Sequence, residues 1–163
     1  MTSKRLSEEH FAQVIDGAPL VSLDLVLTDR SGRALLGKRL NRPAKGYWFV
    51  AGGRVRKNER LQDALLRLVM VELGYGESLA VEALQNARFM GVYEHFYEEN
   101  ALDREGISTH YVALRYALEL DDQQVAQINL DDQHEEHRWW TVDELLASSE
   151  EHFHTKAYFQ DSR

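Results

Sequence analysis

The stretch from Glu59 to Gly74 constrains this chain more than any other part of it. Placed on a helical wheel, Leu61, Ala64, Leu65 and Leu68 form one stripe, and Leu66 and Met70 cover the far side. Only Arg60, Asp63 and Arg67 make a narrow polar edge. Gly74 ends the pattern as a C-cap signal. A helix so apolar has to be covered by the rest of the chain, which points to a layered fold around it. Glu72 falls on the same side as Leu61, Leu65 and Leu68. A carboxylate on a buried stripe needs a cation or loses its charge. The alternative is that Glu72 frays into solvent in the last turn, and the helix alone leaves both readings open.

The remaining segments supply the cover. Ser7 to Ile15 is expected to open as a short capped helix. Pro19 to Leu27 reads as a strand, with Val21, Leu23, Leu25 and Leu27 on one face and Ser22 and Asp24 on the other. Asp29 to Gly32 is a turn, Arg33 to Arg39 the return strand, and Asn41 to Gly46 a loop. Tyr47 to Val50 is short and aromatic, and Gly52-Gly53 breaks the pattern. Phe89 to Tyr97 and His110 to Leu120 read as strands joined by a polar loop, and Asp121 to Gln133 has no clear assignment. His137 to Trp140 reads as a short strand, Thr141-x-x-Glu144 as a capping box opening a helix, and Glu150 to Phe159 as helical. Strands mixed with a few helices, without repeats or a linker, predict one α/β (α+β) domain over residues 1–163.

Charge narrows the function. The net charge of −8 disfavours non-specific nucleic-acid binding. Yet no acid occurs between Asp29 and Glu59, while Arg30, Arg33, Lys38, Arg39, Arg42, Lys45, Arg54, Arg56 and Lys57 do. One basic segment in an acidic chain suits a small anionic ligand held locally, or a solvated loop face; charge alone does not choose. With no cysteine, disulfides, zinc thiolates and thiol catalysis are excluded. The N-terminal Met1 to Gly17 has no apolar signal core and no apolar run is long enough to span a bilayer, so a cytoplasmic protein is the default expectation.

From Gly53 the chain reads Gly53-x5-Glu59-x7-Arg67-x4-Glu72-x-Gly74, with Val69 and Tyr75 at apolar positions. This resembles the Nudix box, a loop–helix–loop that binds divalent ions. Leu68 and Val71 stand where that box normally carries glutamates. The altered box resembles the GDP-mannose mannosyl hydrolase branch of the Nudix superfamily. So do Pro19 to Asp24, Leu36-Gly37-Lys38-Arg39, Asn41-Arg42-Pro43-Ala44, Gly46 to Val50, Gly52-Gly53-Arg54-Val55, His95-Phe96-Tyr97, Thr109-His110-Tyr111-Val112 and Asp132-Gln133-His134. Ala51 departs from the pattern, where a proline is expected.

The resemblance implies a Nudix-type α/β/α sandwich with a mixed β-sheet, acting as a homodimer on a nucleotide-sugar. It implies one Mg²⁺, or Mn²⁺ as substitute, held by the Gly52 carbonyl, the Glu72 carboxylate and the Gln133 side-chain carbonyl. Arg39 and Arg54 would contact the diphosphate, Tyr111 would add a hydrogen bond, and Asp24 would lie near the sugar. His134 would be the general base, while Glu59 and Arg67 would pair structurally beneath the loop. His95, His110 and His137 are expected to be pocket or structural histidines. The aromatics Tyr47-Trp48-Phe49 and Phe96-Tyr97 would frame a base or sugar pocket, or serve as core.

Overall fold

The computed structural model describes residues 6–130 and 134–160. Its organising element is β1 (Leu20–Thr28), which runs parallel to β6 (Thr109–Glu119) from Leu20 opposite Tyr111 to Thr28 opposite Glu119. On its other edge β1 meets β4 (Ala51–Arg54) and, at Thr28, the start of β2 (Ala34–Arg39), both antiparallel. β5 (Arg88–Tyr97) lies antiparallel to β6 on the far side. β2 pairs with β3 (Trp48–Phe49) and with β7 (His134–Trp140). The described residues thus form a seven-stranded mixed sheet.

Both faces of this sheet are covered, which is why β1 is apolar nearly throughout. Leu23, Leu25 and Leu27 pack beneath α2 (Leu61–Leu73) and α3 (Glu77–Leu84). Val26, on the opposite face, joins Leu36, Trp48 and Trp140 with Leu145 of α5 (Val142–Ala147) and Tyr158 of α6 (Phe153–Gln160). The layered α/β expectation therefore holds, with one core on each side of the sheet. A third, smaller cluster joins Phe11 and Ile15 of α1 (Glu8–Gly17) to Leu20. Among the described residues, no helix is long and apolar enough to cross a membrane.

Several sequence expectations are corrected by packing. Along β1 both faces are buried from Ser22 to Leu27, but Val21, grouped with the apolar face, is 41% exposed near the start of the strand. Gly52-Gly53 does not interrupt a strand but lies inside β4, where Asp24 faces Gly52 and Leu23 faces Gly53. A Cβ on Gly52 would stand 2.5 Å from the Leu23 carbonyl oxygen, so glycine is what permits this approach. α2 begins at Leu61 rather than Glu59 because Glu59 is used in the preceding turn, where its carboxylate accepts from the Arg56 amide at 2.8 Å. Leu61, placed on the buried stripe, is 43% exposed in the first turn.

The region left unassigned holds α4 (Asp122–Ala126), opened by a reciprocal cap between Asp121 and Gln124. α3 has no counterpart among the sequence expectations; it follows directly on Gly74-Tyr75-Gly76, where Gly74 reads as the end of α2. The Thr141–Glu144 capping box forms as expected, with Thr141 N–H donating to Glu144 at 3.0 Å.

Candidate active site

Where β1, β4, β5 and β6 come together, their upper face opens into a cavity of about 290 Å³. Asp24, Arg39, Gly52, Arg54, Glu72 and Tyr111 all line it, so the structure gathers these site residues from five elements into one place. Gln133 and the side chain of His134 fall outside the described residues. The main chain of His134 starts β7 and lies opposite Arg39 of β2.

Local chemistry explains how the charged groups are held. Arg67 forks onto Glu59, with Nε donating to Oε1 at 2.6 Å and Nη2 to Oε2 at 2.8 Å. Arg67 Nη2 also donates to the Arg54 carbonyl at 2.9 Å, so this pair props the β4 end from beneath, as expected of a structural ion pair. The Arg67 hydrogen bonds hold the Glu59 carboxyl below the usual glutamate range. The Arg54 guanidinium lies 3.8 Å over the Phe11 ring, and that of Arg39 lies 5.5 Å from the Phe49 ring centre. Arg42 also lines the cavity, but it is engaged by Glu99 at 2.9 Å and Asp103 at 3.2 Å. Glu99 accepts as well from the Ala44 amide at 2.8 Å, which ties the loop after β2 to the loop after β5. That second loop is built on buried Asn100, whose side chain donates to the carbonyls of Arg104 and Ile107 and accepts from the amides of Leu102 and Arg104.

Glu72 is buried in the last turn of α2 and faces the cavity; it does not fray. The two positions that lack acids differ sharply. Leu68 packs beneath β4, where a Cβ on Gly53 would come 2.7 Å from its Cδ2. Val71 is 44% exposed. Among the described residues no group of three or more His, Cys, Asp or Glu side chains is disposed to hold a metal ion by itself. Glu72 with the Gly52 main chain nevertheless offers the hard oxygen donors that suit Mg²⁺ when phosphate oxygens complete the shell.

Asp24 is buried, and burial raises its carboxyl to about 6 despite the hydrogen bond from Tyr158, whose hydroxyl donates to Oδ2 at 2.5 Å. The same hydroxyl lies 3.1 Å from His95 Nε2. Burial pushes the His95 imidazole down to about 3, so it is neutral at physiological pH. Its ring stacks on that of His154 at 4.1 Å, and His154 on His152 at 4.9 Å. Burial likewise lowers His152 to about 4 and raises the hydroxyls of Tyr97 and Tyr111.

Of the three undecided histidines, His95 lines the cavity, and His137 lines a small adjoining cavity with Glu72. His110 lies elsewhere, stacked on exposed Phe96 and 3.6 Å from Glu94. Phe49 and Tyr97 line the cavity, Trp48 is core, and Tyr47 and Phe96 are exposed, so the aromatic clusters divide between both expected roles. Sequence reasoning missed Tyr158, His152 and His154. Tyr158 and His154 lie on α6 and His152 just before it, and no sequence signal singled them out.

The Nudix domain family matches residues 18–160. The chain is 42% identical over 131 residues to the low-salt glycan biosynthesis protein Agl8 of Haloferax volcanii, covering 80% of this chain and 76% of that protein. Among solved structures it resembles a MutT protein from Methanosarcina mazei, at 19% identity and TM-score 0.65, over 89% of this chain and 94% of that one. It also resembles the Nudix domain of Shewanella oneidensis NrtR complexed with ADP ribose, at 17% identity and TM-score 0.65, over 97% of each chain. A MutT Nudix hydrolase from Burkholderia pseudomallei aligns at 23% identity and TM-score 0.62, over 90% of this chain and 99% of that one. These structural likenesses concern the fold. The family match over nearly the whole chain identifies it as a member of the Nudix hydrolase family.

Proposed function

We propose that this Nudix hydrolase splits a nucleotide-sugar, GDP-mannose in the first instance, by attack of water on sugar C1 with inversion, releasing GDP and free sugar. One observation carries the reading: the cavity combines Arg39 and Arg54 with a single box carboxylate, Glu72, while the other two box positions are a packed leucine and a surface valine. A cluster of ions for attack on phosphorus needs several carboxylates; one carboxylate suits one ion. A sugar-bearing substrate also suits the relative whose name refers to glycan biosynthesis.

Nudix proteins bind nucleotide-derived molecules and generally use divalent metals such as Mg²⁺. Glu72, the Gly52 carbonyl and the Gln133 amide oxygen would hold Mg²⁺, which when bound neutralises charge on the departing diphosphate. Arg39 and Arg54 bind the same diphosphate through the planar fork that matches phosphate oxygens, and Tyr111 donates a further hydrogen bond. These contacts strengthen as negative charge builds on the leaving group. Asp24 lines the cavity together with Arg39 and orients the sugar by accepting from its hydroxyls. His134 takes the proton from the attacking water. The anomeric carbon then inverts, because water enters opposite the departing diphosphate.

Turnover in ¹⁸O-water followed by mass spectrometry tests this directly. Label in the sugar is the expected outcome. Label in a phosphate-bearing product would mean attack at phosphorus, and would replace the proposal with ordinary phosphoanhydride cleavage.

A further inference from the structure

The hydroxyl of Tyr158 has no packing reason to exist where it is. Its ring is fully buried, in edge contact with Tyr93 at 4.7 Å, with the Arg115 guanidinium 5.7 Å from the ring centre. A phenylalanine would fill that slot without a polar atom to satisfy. The tyrosine instead aims its hydroxyl between two groups on different strands, Asp24 of β1 and His95 of β5. A phenol carries one proton. Since an ionised Asp24 only accepts, that proton goes to Asp24 Oδ2, and His95 must donate through Nε2–H to the phenol oxygen. The direction of the chain is therefore set: His95 Nε2–H to Tyr158, and Tyr158 O–H to Asp24.

We propose that Tyr158, backed by His95, is a positioning residue for Asp24. It ties up Oδ2 from behind so that Oδ1 is held in one orientation on the cavity side, where it lies beside β4 at Gly52. Three features support this beyond a packing role. Asp24 also has a hydrogen bond with Ser22 and the attraction of Arg39, but opposite it β4 offers only Gly52, which has no side chain to brace the carboxylate, so the Tyr158 hydroxyl is what holds Oδ2. Hydrogen bonds in sequence polarise one another, so a donor that itself accepts from His95 binds a carboxylate more strongly than an isolated phenol. And the phenol ring is clamped on two sides, which a mobile hydroxyl would not need. The C-terminal helix α6 thereby becomes part of the site's machinery through a residue 134 positions away from the one it orients.

This inference rests on the reading that Asp24 contacts substrate, and two measurements separate them. The first is substrate-independent. In the proton NMR spectrum of the wild-type protein the Tyr158 hydroxyl should give a slowly exchanging resonance well downfield of the amides. It should vanish in Tyr158→Phe and move upfield in Asp24→Asn. The second is kinetic, using whichever nucleotide-sugar proves to be turned over. Tyr158→Phe should keep its unfolding midpoint within a few degrees and its KM within about twofold, while kcat falls about tenfold to a hundredfold, the range of one charge-assisted hydrogen bond. A folded Tyr158→Phe protein with unchanged kcat would overturn the proposal. So would a wild-type spectrum in which no downfield resonance responds to Asp24→Asn, a result that holds even if the tyrosine variant does not fold. If the resonance behaves as expected but GDP-mannose is not hydrolysed, the chain stands and the substrate assignment fails.

Discussion

Arg39 and Arg42 sit three residues apart, line the same cavity, and have opposite assignments. Arg42 is held by two carboxylates, Glu99 and Asp103, which leaves its charge largely neutralised before any ligand arrives. Arg39 has a weak contact to the Asn41 carbonyl at 3.5 Å and the face of Phe49, so its fork remains available to phosphate oxygens. Arg39→Ala should lower kcat/KM by about a hundredfold or more, the scale of a lost charge-assisted contact to a developing oxyanion. Arg42→Ala should cost about tenfold at most and act through loop order. Steady-state kinetics on the two variants decides it; the reverse order would move the diphosphate to the other arginine. The same scale explains Glu72. On the wheel it looked misplaced, and in the fold it is the one box acid that reaches the cavity.

At the scale of elements, the end of α2 shows how much a single glycine carries. Gly74 takes φ +68° to close the helix, a region where a side chain is strained. A Cβ there would also stand 2.2 Å from the Asn129 carbonyl oxygen, because the segment after α4 docks on the helix end, with the Asn129 amide donating to the Leu73 carbonyl at 2.8 Å. Gly74→Ala should therefore destabilise by about 2–4 kcal/mol, combining backbone strain with overpacking. Urea denaturation measures it, and an alanine variant as stable as the parent would mean the helix end is not docked this way. The turn was legible from sequence as a C-cap; the second burden on it was not, since Asn129 approaches from an element that had no sequence assignment.

Across the whole molecule, the cavity is backed by neutral histidines whose burial ties stability to pH. In the unfolded chain His95 and His152 titrate near 6.5, but in the fold they are pushed to about 3 and about 4 by desolvation. His154 is lowered in the same direction by the same cause. Each contributes its full stability above its unfolded value and loses it as pH falls toward the folded value. Asp24 works the opposite way: raised to about 6, it takes up a proton in the fold before the unfolded chain does, and so relieves part of the loss on acidification. Three lowered histidines outweigh one raised carboxyl. The unfolding free energy from urea denaturation should fall steadily between about pH 6.5 and 5, by roughly 1.4 kcal/mol per pH unit for each uncompensated proton, and the midpoint with it. A flat midpoint over that window would mean the histidines are not buried neutral.

By itself the chain's amino-acid order determined the α2 helix, its anomalous carboxylate, most strands and both ends of the Thr141 cap, while the family resemblance pointed to Asp24, Arg39, Gly52, Arg54, Glu72 and Tyr111, which line the cavity. Those signals are local: hydrophobic period, capping chemistry and a motif in register. What only the tertiary structure decided was non-local. β4 forms at Ala51–Arg54 because two glycines let it close on β1, not because its residues favour strands. Leu68 and Val71 share a helix, yet one is driven under β4 and the other into solvent, since only packing fixes which part of an apolar helix stays uncovered. Tyr158 and His154 come to lie behind Asp24 and His95 because α6 folds back across the sheet, and no spacing along the chain records a contact whose partners are joined only through space.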